Sequence, residues 1–217
     1  MSRVFEESLA KLKQKLLLMG EKVEVAINKS VRSLMNQETF LAQEVIEKDT
    51  EIDLLEEEID EYVAKLIATQ QPVAKNMRKL VAALKIVNDL ERMGDLAVDI
   101  AEVTIQMREQ KLTMFKEAHG IPEMAKKVQN MVHDGINSFI TGNIQLAKKI
   151  AKQDDEVDQM NYHMIKETTK AIHNQEYPES YFLLCFVAHY LERIGDHVTN
   201  IAESVIYIET GKYVDLN

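Results

Sequence analysis

The chain contains the same helical motif twice, and this internal repeat constrains its fold more than any other feature. Glu91-Arg92-Met93-Gly94-Asp95 recurs 101 residues later as Glu192-Arg193-Ile194-Gly195-Asp196. Upstream, Asp49-Thr50-Glu51-Ile52-Asp53 recurs 105 residues later as Asp154-Asp155-Glu156-Val157-Asp158. The chain of 217 residues is therefore a tandem duplication, and each half repeats the same arrangement of carboxylates.

The residues around the motifs favour an all-α fold. Only seven glycines and three prolines interrupt a chain rich in helix-forming residues, which leaves room for short turns alone. Apolar residues recur every three or four positions, as expected of amphipathic helices. The pattern predicts six long helices in two antiparallel three-helix bundles. Their predicted ranges are 3–35, about 40–70, 73–111, 122–140, 143–174 and 179–210.

The two bundles correspond to the two copies of the repeat. We assign residues 1–112 to the first three-helix repeat and residues 116–217 to the second. The boundary is predicted between 115 and 122, where Gly120 and Pro122 interrupt helical structure. Pro72 is predicted to open the third helix at its first position, because proline has no backbone N–H to lose there.

Charge and hydropathy exclude several classes of function. A net charge of −10 argues against binding to the phosphate backbone of a nucleic acid. No apolar run approaches the roughly 20 residues that a transmembrane helix needs. The first residues contain two acids and no apolar signal region. We therefore expect a cytoplasmic protein without a transmembrane segment.

The duplicated acids are spaced so that they share a helix face. Residues four apart lie one above the other, so Glu91, Asp95 and Asp99 form a row. Glu192 and Asp196 form a second row, with the neutral Asn200 in third place. Like charges at this spacing destabilise a helix by about 0.2–0.5 kcal/mol per pair. The rows border the apolar stripe, where an unpaired carboxylate is costly, so their presence needs a physical cause.

Bound cations are the simplest compensation for these charges, because metal ions use carboxylate oxygens as ligands. Antiparallel neighbouring helices would bring the acids of the second helix beside those of the third in each half. The candidate metal ligands are Asp49, Asp53, Glu91, Asp95 and Asp99 in the first half, and Asp154, Asp158, Glu192 and Asp196 in the second. Gly94 and Gly195 each precede an aspartate, where a missing side chain permits a close neighbour or a ligand.

Other interpretations of the acids stay open. They would be ordinary solvated side chains paired with Arg92 and Arg193 in a metal-free helical scaffold. The chain has no nucleophile–base constellation, no phosphate-binding glycine loop and no Cys/His zinc spacing, so we predict that it is not an enzyme. A carboxylate-bridged metalloenzyme is the alternative. His189 and His197 lie outside the duplicated pattern and are interpreted as structural, and the run 56–58 as a solvated helix face.

The paired motifs, Asp-x-x-x-Asp on the second helix and Glu-Arg-x-Gly-Asp on the third helix of each half, resemble those of the PhoU family. The resemblance covers nearly the whole chain. It implies a cytoplasmic accessory regulator of the phosphate-specific transport system, which acts as a negative regulator of the phosphate regulon. It also implies multinuclear iron or zinc clusters on the candidate ligands, although all-carboxylate sites suit Mg or Mn equally well.

The same resemblance implies the partners. These are the ATPase of the phosphate ABC transporter, the sensor histidine kinase of the phosphate-starvation response, and a second copy of the chain in a homodimer. The second half departs from the family's pattern, since Asn200 replaces a carboxylate. We therefore expect the second cluster to be smaller or weaker than the first.

Overall fold

The chain folds into two helical bundles, as the sequence predicts. The structure is a computed structural model that describes residues 3–112, 120–173 and 178–216. Within these ranges there is no β-strand. The helices are α1 (Arg3–Asn36), α2 (Thr39–Lys48), α3 (Thr50–Gln70), α4 (Lys75–Glu109), α5 (Ile121–Thr141), α6 (Ile144–His173) and α7 (Pro178–Thr210).

The second predicted helix is divided into α2 and α3 at a single residue, Asp49. Its backbone angles of φ −60° and ψ −35° are helical, and its carbonyl accepts hydrogen bonds from the N–H groups of Ile52 and Asp53. Helices α2 and α3 both pack against α1 and α4, so together they form one arm of the bundle. The interruption falls at one of the duplicated acids.

Left-handed residues end several helices, and one predicted start is wrong. Gln71 takes φ 45° after α3, and its N–H donates to the Ile67 carbonyl. Gly142 takes φ 69° after α5, a conformation that glycine adopts without steric cost. Pro72 does not open α4. That helix begins three residues later at Lys75, because residues 71–74 form the connection.

The first bundle consists of α1, α2, α3 and α4, and the second of α5, α6 and α7. Leu12, Leu16 and Met19 on the α1 stripe are fully buried in the core. One continuous set of buried side chains includes residues of both bundles. A Cβ atom at Gly20 of α1 would overlap Ile136 Cδ1 of α5, so the glycine permits these two helices to approach closely.

Helices α4 and α7 form the main contact between the bundles and run antiparallel. Near one end, Arg78 donates two hydrogen bonds to the carbonyl of Ile208, at 3.1 and 3.2 Å. Further along, His197 Nδ1 lies 2.9 Å from Asp89 Oδ1. As numbers rise along α4 they fall along α7, so the two copies of the Glu-Arg-x-Gly-Asp motif lie on facing helices.

No helix in the described ranges is both long enough and apolar enough to cross a membrane. The boundary that we predicted between 115 and 122 lies partly outside the described residues, and the ranges 1–112 and 116–217 stay predictions. Of that boundary, Gly120 takes φ 90° immediately before α5, and Pro122 lies in the first turn of α5.

Candidate metal centre

Each duplicated glycine receives the first aspartate of the neighbouring helix. A Cβ atom built on Gly94 would lie 3.0 Å from Asp49 Oδ1, and one built on Gly195 would lie 2.7 Å from Asp154 Oδ1. A side chain at Gly195 would displace the carboxylate of Asp154, and one at Gly94 would require that of Asp49 to shift slightly. The two halves therefore repeat one contact, and the glycines have the role that the sequence suggested for them.

The acids of the second half form the tighter cluster. One carboxylate oxygen from each of Asp154, Asp158 and Asp196 lies within 4.8 Å of the other two. Asp154 comes from the middle of α6 and is only 4% exposed, whereas Asp158, one turn later, is exposed. Asp196 follows Gly195 on α7. The three side chains thus lead from a buried position outwards to the surface.

Asp154 Oδ1 is buried and has no hydrogen-bond partner. A buried carboxylate without a partner is strongly destabilised when it is ionised. Burial, followed by the charges of Asp158, Asp196 and Glu192, raises the pKa of Asp154 from 3.8 to about 7. The same causes raise the pKa of Asp196, with burial first and Asp158 next. A cation between these oxygens would remove both penalties.

Glu192 lies beside this cluster, and a histidine adjoins it. Burial and the charge of Asp196 raise the pKa of Glu192. His189 Nδ1 lies 3.1 Å from Glu192 Oε2, and protonation of that ring would form an ion pair. Arg193 lowers the pKa of Asp196 through its charge, but it forms no ion pair in the described part of the chain. In the described part of the chain, ion pairs of this half involve acids such as Glu156 and Asp134 and none of the three clustered aspartates.

The acids of the first half are more open and are partly neutralised. Burial, then the charges of Asp53 and Asp95, raises the pKa of Asp49 to about 6. Arg92 Nη1 donates to Asp95 Oδ2 at 2.8 Å, and its Nε lies 3.3 Å from Glu91 Oε2. The Arg92 side chain is 54% exposed, so solvent screens its attraction to these acids.

The acids of the second half are the more closely spaced, although we expected that cluster to be smaller or weaker. In the described residues, the second-half acids alone bring three carboxylate oxygens this close together. Asn200, which we expected to weaken that cluster, is not part of it: its Nδ2 donates to Asp89 Oδ1 of α4 at 3.1 Å. The neutral residue belongs to the contact between the bundles, so it removes no charge from the metal centre.

Asp99 occupies on α4 the position that Asn200 has on α7, and it too interacts with the opposite helix. Burial, then Glu102 and Asp95, raises its pKa. Burial, then the charges of Asp99 and Glu102, in turn raises the pKa of Tyr190 of α7. Ligation of a metal by Asp99, as by the other eight candidate acids, stays a prediction.

Two features escaped the sequence analysis. Glu56, which we interpreted as part of a solvated face, is half-buried, and its charge contributes to the raised pKa of Glu91. The sequence feature that could have indicated this is the position of Glu56 three residues after Asp53, on the same helix face. The second feature is buried Asp89, held by His197 and Asn200. This contact joins unrelated positions of the two copies, so the repeat gave no sign of it.

The donor set suits a hard cation. All the candidate ligands are carboxylates, which Mg, Mn and Fe ions favour. Asp154, Asp158 and Asp196 would hold the ion, with Glu192 at the edge, and the ion would supply positive charge where buried oxygens have no partner. The orphaned oxygen of Asp154 is the observation that fits a metal best.

Comparison with known proteins decides the family. The family profile described as "PhoU domain" matches residues 16–104 and again residues 121–205. The chain belongs to the PhoU family. The first matched stretch contains all five candidate acids of the first half, and the second contains all four of the other half.

The similarity to known proteins extends over nearly the full length of this chain. A protein of Clostridium acetobutylicum named phosphate-specific transport system accessory protein PhoU homolog is 38% identical, covering 99% of this chain and 98% of its own. One of the same name from Aquifex aeolicus is also 38% identical, over 98% and 95%. The crystal structure of PhoU from Pseudomonas aeruginosa matches with a TM-score of 0.89 and 32% identity, covering 96% of this chain and all of that one.

Proposed function

We propose that this protein is a non-catalytic regulator of phosphate uptake and of the phosphate-starvation response. The observation that carries the proposal is similarity over almost the whole chain to proteins named as accessory to the phosphate-specific transport system. Both repeats match the family, so the proposal involves the complete two-bundle architecture and not one isolated motif.

The partners in this proposal are the ATPase of the phosphate ABC transporter and the sensor histidine kinase. The regulator would act at the cytoplasmic side by binding these proteins, and it would lower expression of the phosphate regulon when phosphate is plentiful. A second copy of the chain completes the proposed assembly as a homodimer. Light scattering of the purified protein measures its molar mass and so tests whether it is a homodimer.

Metal ions have a supporting role in the proposal. A cation held by Asp154, Asp158 and Asp196 would neutralise buried charge and fix α6 against α7. The unpartnered Asp154 Oδ1 and the carboxylate-only donor set support this role. A site with these properties requires no substrate pocket, so it is compatible with regulation by protein contacts.

Binding to the transporter ATPase tests the regulatory function. The purified protein is titrated against the ATPase subunit at high phosphate, with and without a chelator. We expect saturable binding, and weaker binding by Asp154→Asn if the metal orders the binding surface. Absence of binding under all conditions would contradict the proposed partner.

Two further measurements separate the alternatives. Elemental analysis of protein purified without chelator distinguishes a metal-bearing regulator from a metal-free scaffold. An assay for phosphate-ester hydrolysis after metal loading addresses the metalloenzyme alternative. Turnover that depends on Asp154 would replace the proposal with an enzymatic function.

A further inference from the structure

Antiparallel packing of α4 and α7 creates two grooves that the internal repeat relates to each other. The first groove lies between the early part of α4 and the late part of α7, and the second between the early part of α7 and the late part of α4. Residues that line one groove correspond, at an offset of 101 in the sequence, to residues that line the other. The matched pairs are Val81 with Phe182, Lys85 with Phe186, and Tyr207 with Gln106.

The chain's own C-terminal segment occupies the first groove. Tyr213 stacks on Tyr207, with ring centroids 4.2 Å apart and planes inclined by 15°. Lys85 Nζ lies 5.7 Å from the centroid of the Tyr213 ring, within the range of a cation–π contact. The N–H of Leu216 donates to Glu203 Oε1 at 2.9 Å. A non-helical segment is thus bound through one ring, one cation and one carboxylate, and a cavity of about 50 Å³ remains.

The second groove has the same construction and a larger free volume, about 290 Å³. Phe182 and Phe186 line it with 54% and 40% of their surfaces exposed. Their rings meet edge to face with centroids 4.9 Å apart. Leu112, the counterpart of Tyr213, does not lie on the groove: it packs against the core, and its carbonyl accepts a hydrogen bond from Gln37 Nε2 at 3.2 Å.

The described residues that line the second groove come from α7, the last turns of α4 and Gln110, and their charges differ from those of the first groove. In the first groove the cation Lys85 comes from the protein and the ring of Tyr213 comes from the tail. In the second groove Phe186 replaces the lysine, so the ring belongs to the protein. Glu179 lines this groove. Glu102 is the sequence counterpart of Glu203 and lies outside the lining, but its charge acts on Tyr190, which does line the groove. An occupant that complements these groups is positively charged.

We propose that the second groove binds an extended segment of a partner protein that carries a basic side chain next to an apolar one. The basic group would lie over Phe186, the apolar group against Phe182, and a backbone N–H would donate to Glu102. This mode repeats what the C-terminal segment does in the first groove, with the ring and the cation exchanged. It does not depend on the metal centre.

Fluorescence polarisation with a defined peptide tests the proposal. The probe is a fluorescein-labelled heptapeptide of sequence Gly-Lys-Tyr-Val-Lys-Leu-Asn, which is the C-terminal segment with a second lysine in place of its aspartate. We expect saturable binding with a Kd below about 1 mM in low salt. A control peptide with aspartate at both lysine positions should bind at least fivefold more weakly. Added salt should weaken the binding of the basic peptide.

Variants locate the bound peptide. Phe186→Ala should weaken binding at least tenfold and Glu102→Gln about threefold. Both side chains are substantially exposed, so the fold tolerates these changes, and an unchanged circular dichroism spectrum checks it. Phe40→Ala, at an 86% exposed phenylalanine of α2, is the matched control and should bind as the wild type does.

Three results would overturn the proposal. The first is no saturable binding of the basic peptide. The second is binding that Phe186→Ala leaves unchanged. The third is binding that Tyr207→Ala abolishes, because the peptide would then be displacing the C-terminal segment from the first groove. Failure here leaves the transporter and metal measurements unaffected, since those use separate readouts.

Discussion

Replacing Asp154 with asparagine should stabilise the metal-free protein and strongly weaken its response to metal. The asparagine side chain resembles the protonated carboxyl group in shape but carries no charge to bury. The folded-state pKa of Asp154 is raised from 3.8 to about 7, so ionisation opposes folding. Its contribution to stability is complete below about pH 4 and is lost as the pH rises to about 7.

The size of the effect follows from the pKa. Between pH 5 and pH 8 the wild type must ionise a group whose folded-state pKa is about 7, and each pH unit below that value corresponds to about 1.4 kcal/mol. The free-energy advantage of Asp154→Asn should therefore grow by about 3 kcal/mol over this interval. In a chain of this size that corresponds to a rise of roughly 6–12 °C in the difference between the two Tm values.

Thermal unfolding in a chelator at pH 5 and pH 8, followed by circular dichroism, measures the effect. Mn²⁺ added at 100 times its Kd should then stabilise the wild type by about 2.7 kcal/mol and the variant much less, which offsets much of the variant's advantage at pH 8. Asp155→Asn, at the exposed neighbouring aspartate, is the control and should show a smaller pH response. A Tm difference that does not widen with pH, or equal stabilisation of both proteins by Mn²⁺, would refute the reasoning.

Three further substitutions test individual contacts. Gly195→Ala should push the Asp154 carboxylate aside and weaken metal binding at least tenfold, as measured by calorimetry. The Tm of the metal-free variant should be no lower than that of the wild type, because alanine favours a helix over glycine by about 1 kcal/mol. An unchanged metal affinity would count against the contact. Gly94→Ala should have the same sign and a smaller effect, since the first-half contact is longer, and the same titration compares the two. His197→Ala should lower the free energy of unfolding by about 1–3 kcal/mol in urea titrations, because it leaves buried Asp89 with one hydrogen-bond partner fewer. An unchanged free energy of unfolding would show that water replaces the imidazole.

The helices and the repeat were readable from the sequence because both depend on local order along the chain. The predicted range 3–35 differs from α1 by one residue, and 143–174 differs from α6 by one residue at each end. Apolar spacing defines the buried face of each helix, and glycines such as Gly142 mark where it ends. Pro72 misled the prediction, since a favourable first residue does not require the helix to begin there.

The repeat also indicated which acids share a helix face, but not how close acids on different helices come. That distance depends on the rotation of each helix about its axis and on the side chains across the interface. Arg92 turns towards Asp95 and Glu91 in the first half, whereas Arg193 forms no ion pair within the described ranges of the second. Equivalent sequences thus give clusters of different charge.

Sequence alone therefore determined the all-α fold, the duplication and the set of carboxylates, since each is a property of residue type and spacing along one chain. Tertiary structure decided that Asn200 faces Asp89, that the charge of Glu56 acts on Glu91, and that the second cluster is the tighter one. The physical reason is that the helical period of 3.6 residues defines a face to within about one side chain. Metal coordination and hydrogen bonding depend on differences of about 1 Å, which arise only when neighbouring helices pack together.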